Sequence, residues 1–238
     1  MTFVAQRSPG GQILVLAPKL SEHLTKFQSL GVKKDVKISL SNEIPEITVD
    51  SMREYSGVLL IAGFTYDNFK DSALPPIRSY VNKGGKVFVL THPEITEHNT
   101  ALIENFGLSV ARELMHGEKS PKGQASIDGS SICPLFKGKI GSAIADDYGP
   151  YMGSYFTFKD PAQEILIRSK ENQKDRPIAG RLKIGKGQIW FVTDFTMSVH
   201  QPGGFWTYSA YSSILLDKRI DLFDNEQAAL AIIEWLSH

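Results

Sequence analysis

The sequence predicts an α/β fold in which a parallel sheet is flanked by helices. Segment 55–106 alternates two strand-like runs with two helix-like runs, which is the pattern of a parallel α/β sheet. The strand-like runs 58–61 (VLLI) and 87–90 (VFVL) are continuously apolar, as strands covered by helices on both faces require. Further apolar runs of strand length follow later, so we expect an additional β-rich C-terminal half.

Strands alternate with helices through the first half of the chain. The predicted strands are 12–17, 36–40, 55–62, 86–90 and 108–111. The predicted helices are 21–30, a helix whose inward face carries Leu74, Ile77 and Val81, and 97–106. We expect Gly31 to end the first helix and Gly84-Gly85 to end the second.

The character of the sequence changes after about residue 114. Segment 115–150 is rich in Gly, Ser and Lys, and we expect it to be an irregular insertion within a single domain that spans 1–238. From residue 154 onward the sequence predicts successive strands, and Gly185-Lys186-Gly187 predicts a hairpin between the last two. A final amphipathic helix follows Asp224, its expected N-cap, with Gln227 three residues later.

Composition excludes several classes of function. The 238 residues include 26 basic and 26 acidic side chains, so we expect no nucleic-acid binding. The single cysteine, Cys133, excludes an intrachain disulfide and a cysteine-based zinc site. The sequence contains neither an N-terminal leader pattern nor an apolar run of about 18 residues, so we expect no membrane insertion and a cytoplasmic protein.

Several phrases of the sequence resemble the class I glutamine amidotransferase-like superfamily. They are GVLLIAGF, YVNKGGKVFVLTHPE, NTALIENFGL, IGKGQIWFVTDF and DNEQAALAIIEWL, in this order. The resemblance covers most of the chain outside 115–150. It points to the branch that includes the GIFT domain of intraflagellar-transport and gliding-motility proteins. It implies a flavodoxin-like sandwich in which the turn after Leu90 corresponds to the nucleophile elbow.

The elbow of this chain lacks the catalytic cysteine that active members of the superfamily carry. It reads Leu90-Thr91-His92-Pro93-Glu94. Cys133 lies far along the chain, with no base beside it in sequence. His92 is poorly placed to take a proton from Thr91, because adjacent residues at a strand end point to opposite sides. We therefore do not expect glutaminase activity.

His92 is the main candidate in this turn, and trehalose-utilisation-like members of the superfamily resemble this chain in carrying a histidine here. It either hydrogen-bonds a neighbouring loop or acts in the cleft at the strand ends, as a polar contact, a proton carrier or a metal ligand. Glu94 and Asp194 are the carboxylate candidates. Each is otherwise an ordinary loop or turn residue.

Parallel sheets bind ligands at the carboxyl ends of their strands, so we expect a pocket there. Its candidate residues are Gly63, Phe64, Thr91, His92, Glu94, Asp194, His200 and Trp206. Trp206 belongs to an aromatic cluster in 205–211 that can stack on a sugar, form a protein interface or pack the edge of the sheet.

The sequence predicts no metal and no cofactor. His92 and His98 are six residues apart, neither HxH nor HExxH occurs, and His98 is expected to be a solvated helix residue. The phosphate-binding patterns GxGxxG and GxxxxGKS/T are missing, and Gly10-Gly11 precedes the first strand instead of following it.

Two functions remain open on the sequence. The first is a non-catalytic domain that binds a small metabolite, a carbohydrate or a protein partner, with homo-oligomer formation left open. The second is a hydrolase or isomerase of a sugar-like substrate, with His92 as general base and Glu94 or Asp194 as its partner. The missing elbow cysteine favours the first.

Overall fold

The computed structural model describes the central sheet, its helices and several segments packed beside them. The described residues are 10–17, 21–41, 48–62, 74–91, 106, 108–110, 124–131, 133–143, 156–158, 165–171, 174–193, 199–200, 206–207, 215, 217, 220–221 and 224–238.

The described elements follow the alternation that the sequence predicts. The strands are β1 (Gln12–Leu16), β2 (Lys37–Ser41), β3 (Gly57–Ala62), β4 (Lys86–Thr91), β5 (Leu108–Val110), β6 (Gln124–Asp128), β7 (Lys139–Ala143), β8 (Phe156–Phe158), β9 (Ile165–Glu171), β10 (Lys174–Ile184), β11 (Gly187–Thr193), β12 (Val199–His200) and β13 (Trp206–Thr207). The α-helices are α1 (Thr25–Lys33), α2 (Val49–Met52), α3 (Leu74–Asn82) and α4 (Asn225–Ser237), with 3-10 helices at Ser21–His23 and Gly129–Ser131. The helix predicted at 97–106 lies outside the described residues, apart from Phe106.

A seven-stranded sheet forms the centre of the described structure, in the order β2-β1-β3-β4-β11-β10-β9. The first five strands in this order are parallel to one another. β10 runs antiparallel to both of its neighbours. The five parallel strands have the spatial order second, first, third, fourth, fifth, which is the flavodoxin-like order. The predicted fold class, a flavodoxin-like parallel sheet with a β-rich second half, is confirmed.

The central strands contribute to two apolar cores, one on each face of the sheet. Successive side chains of a strand point to opposite faces. Leu59 and Ile61 therefore pack with residues of α1 and α4, whereas Val58 and Leu60 pack with residues of α2 and α3. All four side chains are buried. The sequence predicted that the run 58–61 is continuously apolar because helices cover both faces of the strand, and this prediction is confirmed.

Helix α1 lies later in the chain than the predicted 21–30, and Gly31 lies inside it instead of ending it. A Cβ at Gly31 would come within 2.6 Å of the Ile38 side chain and 2.8 Å of the Val36 carbonyl oxygen, so this position keeps β2 close to the helix. The helix closes at Asp35, whose φ is +56°. The Val36 N–H donates to the Gly31 carbonyl at 2.9 Å. The Asp35 N–H donates to the Val32 carbonyl at 3.1 Å, which completes a Schellman motif.

The predicted hairpin between β10 and β11 is confirmed. Ile184 pairs with Gly187, which leaves Gly185 and Lys186 as a two-residue turn. Gly185 has a φ of +57°, as the first turn position of a type II′ hairpin requires. Gly187 is needed for a different reason, because a Cβ there would lie 2.1 Å from the Val81 carbonyl oxygen.

The β-rich half also forms three small antiparallel pairs, β5 with β8, β6 with β7, and β12 with β13. The strand predicted at 108–111 therefore pairs outside the central sheet, where β11 takes the fifth parallel position. Within 115–150 the structure describes the β6–β7 pair. Cys133, Phe136 and Ile140 from this region are buried in the core on the α1 side of the sheet.

Asp224 is the N-cap residue of α4, as predicted, but its carboxylate does not cap the helix. Its Oδ2 accepts a hydrogen bond from the Lys139 N–H at 2.7 Å. The Asp224 N–H in turn donates to the Lys139 carbonyl at 2.7 Å. Instead of the expected capping arrangement with Gln227, Asp224 makes two hydrogen bonds with Lys139, which join the start of α4 to the start of β7.

Candidate functional site

The carboxyl ends of β3, β4 and β11 lie side by side, and we call this region the carboxyl end of the sheet. Ala62 pairs with Thr91, and Thr91 pairs on its other side with Thr193. Neighbouring strands are about 5 Å apart, so the three backbones span about 10 Å. Thr91, one of the predicted site residues, is the middle residue of this row. A row about 10 Å wide is wide enough for a small ligand to contact all three strands.

Most of the other predicted site residues follow this row in sequence and lie outside the described part of the chain. They are Gly63, Phe64, His92, Glu94 and Asp194. Three of them, at positions 63, 92 and 194, are the residues that come directly after the paired row. Their roles stay predictions.

Two further predicted residues are brought together by the structure. His200 and Trp206 are backbone partners in the antiparallel pair of β12 and β13. The sequence suggested a ligand role for each of them separately and gave no sign that they pair. A ligand that contacts His200 would therefore lie on the same strand pair that carries Trp206.

Cys133, the single cysteine of the chain, is fully buried in the core on the α1 side of the sheet. Burial raises the pKa of its thiol to about 12, because a thiolate there would lose its hydration. Backbone hydrogen bonds with Leu135 and Phe136 act in the opposite direction and are the weaker influence. A buried thiol with this pKa is not a nucleophile at neutral pH.

The N-terminus of α1 lies near the carboxyl end of the sheet, because α1 leaves β1 and returns to begin β2. Its N-cap residue, Leu24, makes no side-chain cap. Asp217 caps the helix from a distant part of the chain. Its Oδ2 accepts from the Thr25 hydroxyl, and its Oδ1 accepts from the Lys26 N–H at 2.7 Å. Helix N-termini favour anions, and here a carboxylate of the chain itself fills that position.

A short stretch of the chain around Asp217 is docked on the start of α1. The Asp217 N–H donates to the His23 carbonyl at 2.8 Å. Lys26 forms an ion pair with Asp221. Leu215 and Ile220 are buried in the core on the α1 side. The sequence analysis missed this contact because the partners are about 190 positions apart and no local pattern links them.

A groove of about 120 Å³ lies between α1 and the start of α4. Its lining is Lys26, Ser29, Leu30, Lys33, Ile220, Asp221 and Glu226. Lys33 is 3.4 Å from Glu226 and Lys26 is paired with Asp221, so each lysine already has a carboxylate partner. Small-molecule sites usually have volumes of about 300 Å³ or more. The groove is too small and too well neutralised to be the candidate site.

The described residues contain no group of three or more His, Cys, Asp or Glu side chains that could hold a metal ion. None of the described helices is both long enough and apolar enough to cross a membrane.

No family model and no curated protein matches the chain in sequence. A ThuA-like protein from Bacteroides uniformis ATCC 8492 matches its fold over 99% of this chain and 95% of its own, with a TM-score of 0.51 and 10% identity. A β-galactosidase from Bacillus circulans sp. alkalophilus matches over 95% of this chain, with a TM-score of 0.51 and 11% identity. The chain spans 30% of the length of that enzyme.

A protein from Thermoplasma acidophilum that is described as part of a GMP synthase matches over 95% of this chain and 94% of its own, with a TM-score of 0.47 and 10% identity. The assignment to the GIFT branch stays a prediction. Identities of 10–11% show a shared fold and nothing finer, so the chain has the α/β fold of the ThuA-like protein and of one part of the β-galactosidase.

Proposed function

We propose that this chain is a ligand-binding domain without glutaminase activity and that its pocket lies at the carboxyl end of the sheet. The observation that carries the proposal is the paired row of Ala62, Thr91 and Thr193. Open α/β sheets bind ligands in the crevice outside the carboxyl ends of their strands. Each of the three strands passes directly into a residue predicted to belong to the site.

The proposed ligand is a small polar metabolite, with a carbohydrate as the first choice. His92, Glu94 and Asp194 supply the hydrogen-bond donors and acceptors that sugar hydroxyl groups need. Trp206 supplies a ring on which a sugar can stack. The pairing of His200 with Trp206 supports a shared role for these two residues. A protein partner that covers the same strand ends is the other occupant we propose.

The state of Cys133 supports the non-catalytic part of the proposal. Glutaminases of the superfamily that the sequence resembles need a reactive thiolate at the turn after β4, and this chain has His92 after Thr91 there. The buried Cys133 thiol, with a pKa of about 12, cannot take over that role at neutral pH. Binding without a covalent thiol step is the function that fits these residues.

The structural neighbours decide which ligands are tested first. One neighbour is a β-galactosidase, and its likeness to this chain is one of fold. Galactose is the first sugar in the panel. Glucose, trehalose, nucleotides, amino acids and divalent metals complete the panel.

A thermal-shift screen of the wild type with this panel tests the proposal. A ligand present at 100 times its dissociation constant adds about 2.7 kcal/mol of stability, a shift of roughly 5 to 10 °C for a chain of this size. We expect a sugar to stabilise the wild type and to lose this effect in His92→Ala and Asp194→Asn. His238→Ala is the matched control, because it removes an exposed histidine just after α4.

The outcomes separate the candidates. If no compound stabilises the folded wild type, the small-molecule proposal fails. If stabilisation is the same in His92→Ala, Asp194→Asn and the control, the ligand binds elsewhere. If a sugar is converted and His92→Ala abolishes the conversion, the alternative of a hydrolase or isomerase with His92 as general base replaces the binding proposal.

A further inference from the structure

β2 is an outer strand of the central sheet, because β1 is its one partner among the described strands. A strand at the edge of a sheet presents a row of backbone N–H and C=O groups that can pair with another chain. Proteins usually cover such edges or give them charged side chains. The hydrogen bonds of β2 show which of its backbone groups face this edge and which of them is covered.

Alternate residues of β2 bond to β1. The Lys37 N–H donates to the Gly11 carbonyl at 3.0 Å, and the Ser41 carbonyl accepts from the Ala17 N–H at 3.2 Å. In a parallel ladder, residues that bond one neighbour alternate with residues whose backbone groups face the other side. The N–H and C=O groups of positions 38 and 40 therefore point away from β1, toward the side of β2 on which no described strand pairs.

Gln28 of α1 covers one of these outward groups. Its Nε2 donates to the Ile38 carbonyl at 3.0 Å. Gln28 is itself exposed, while Phe27 and Leu30 on the same helix are buried. The side chain thus contributes little to the core, and its bond is directed at the edge of the sheet.

We propose that Gln28 prevents a second copy of this chain from pairing along β2. The strand can pair with itself in antiparallel fashion about Ser39, which places Ile38 of one copy opposite Leu40 of the other. Each such pair would exchange two N–H to C=O bonds. The Gln28 amide lies on the outer side of the Ile38 carbonyl, so this pairing has to displace it first.

Charged side chains give β2 little protection against pairing with another chain, since Lys37 is the one charged residue in its sequence, KISLS. The other outer strand of the sheet, β9, has the sequence ILIRSKE, with three charged residues. The two edges therefore differ in their means of protection. A specific side-chain bond at β2 takes the place of the charges found at β9.

Sedimentation equilibrium over a concentration series tests this proposal. Alanine is the best helix former, so Gln28→Ala is expected to fold. Ser29→Ala is the matched control, because the Ser29 hydroxyl donates to the Thr25 carbonyl within α1 and does not reach β2. We expect the average mass of Gln28→Ala to rise toward twice the monomer mass, and the wild type and Ser29→Ala to remain monomeric over the same range.

A second substitution identifies the surface used. Leu40→Pro removes an outward N–H while leaving the bonds to β1 in place, and an edge strand tolerates proline. The double variant Gln28→Ala with Leu40→Pro should be monomeric. The proposal is overturned if Gln28→Ala has the same mass as the wild type at every concentration. It is also overturned if Leu40→Pro leaves the association of Gln28→Ala unchanged.

Discussion

The two ends of the central sheet are built in different ways. At the amino end, where the strands begin, the chain is packed so closely that some positions have no room for a side chain. A Cβ on Gly57 would lie 2.6 Å from the Leu236 carbonyl oxygen, and one on Gly187 would lie 2.1 Å from the Val81 carbonyl oxygen. Contacts of this kind fix how α3 and α4 sit on the strands.

At the carboxyl end, segments that are far apart in the sequence meet. Thr91 and Thr193 are backbone partners there, and Asp217 caps the N-terminus of α1. We therefore expect changes at the amino end to cost the most stability, and changes at the carboxyl end to cost less stability and, at the predicted site residues, to weaken binding.

The largest effect is expected from breaking the packing at the amino end. Gly187→Ala would bring a Cβ to 2.1 Å and 2.3 Å from two backbone carbonyl oxygens, which cannot move as side chains do. We expect a loss of about 3 kcal/mol or more in the free energy of unfolding. Gly84→Ala is the control, because its φ of +114° is unfavourable but its nearest neighbouring atom is 3.7 Å away. It should cost about 1–2 kcal/mol in urea unfolding. Equal losses would contradict the packing account.

The next effect concerns the buried thiol beneath the sheet. The pKa of Cys133 is raised to about 12, so the folded state holds its thiol proton more tightly than the unfolded state does. This stability is fully present below the unfolded thiol pKa of about 8.5 and is lost as the pH rises toward 12. By pH 10 the loss should be on the order of 1–2 kcal/mol.

Urea unfolding at pH 7, 9 and 10 measures this effect. Cys133→Ala should be less stable at pH 7 because of the cavity, and it should lose less stability between pH 7 and pH 10. Tyr80, whose pKa burial also raises to about 12, contributes mainly above pH 10. Identical pH dependence of the two proteins would mean that the thiol is accessible.

A smaller loss is expected from removing the cap at the carboxyl end. Asp217→Ala deletes the acceptor of the Thr25 hydroxyl and of the Lys26 N–H, and should cost about 1 kcal/mol. Asp217→Asn retains one acceptor oxygen and should cost less. Amide hydrogen exchange should speed up in the first turn of α1 and stay unchanged in α3. Uniform acceleration in both helices would instead indicate a global loss of stability.

The smallest effect is a gain. Asp35 has a φ of +56° at the end of α1, a conformation that glycine adopts without strain. Asp35→Gly should therefore stabilise the chain by about 0.5–1 kcal/mol. Lys34→Gly, at an ordinary φ of −105°, is the control and should destabilise it. A loss of stability in Asp35→Gly would show that the aspartate side chain makes a contact that matters more than the backbone strain.

The parts of the fold predicted from sequence are those that local patterns specify. Continuous apolar runs predicted β3 and β4, and Gly185 with Lys186 predicted the hairpin. The prediction for Gly31 was wrong because packing between elements overrides the local pattern. Gly31 looks like a helix stop in sequence, yet it lies inside α1 because β2 packs against it.

The sequence predicted where the candidate site lies in the fold, but it did not predict which strands and side chains meet there. The strand ends followed from the α/β pattern, and Thr91 is found in the paired row. The register that places Thr193 beside Thr91 depends on β11 inserting next to β4 from more than 90 residues away. The cap supplied by Asp217 is another long-range contact. Periodicity and spacing carry no information on such pairings.

The most direct test of the central claim compares one variant from each end of the sheet. Lys86 lies at the amino end, where its Nζ donates to the Trp235 carbonyl at 3.1 Å. The affinity of wild type, His92→Ala and Lys86→Met for the sugar found in the screen should be measured by calorimetry. We predict at least about tenfold weaker binding for His92→Ala, about 1.4 kcal/mol, and unchanged affinity for Lys86→Met. Weaker binding in Lys86→Met with full affinity in His92→Ala would contradict the account.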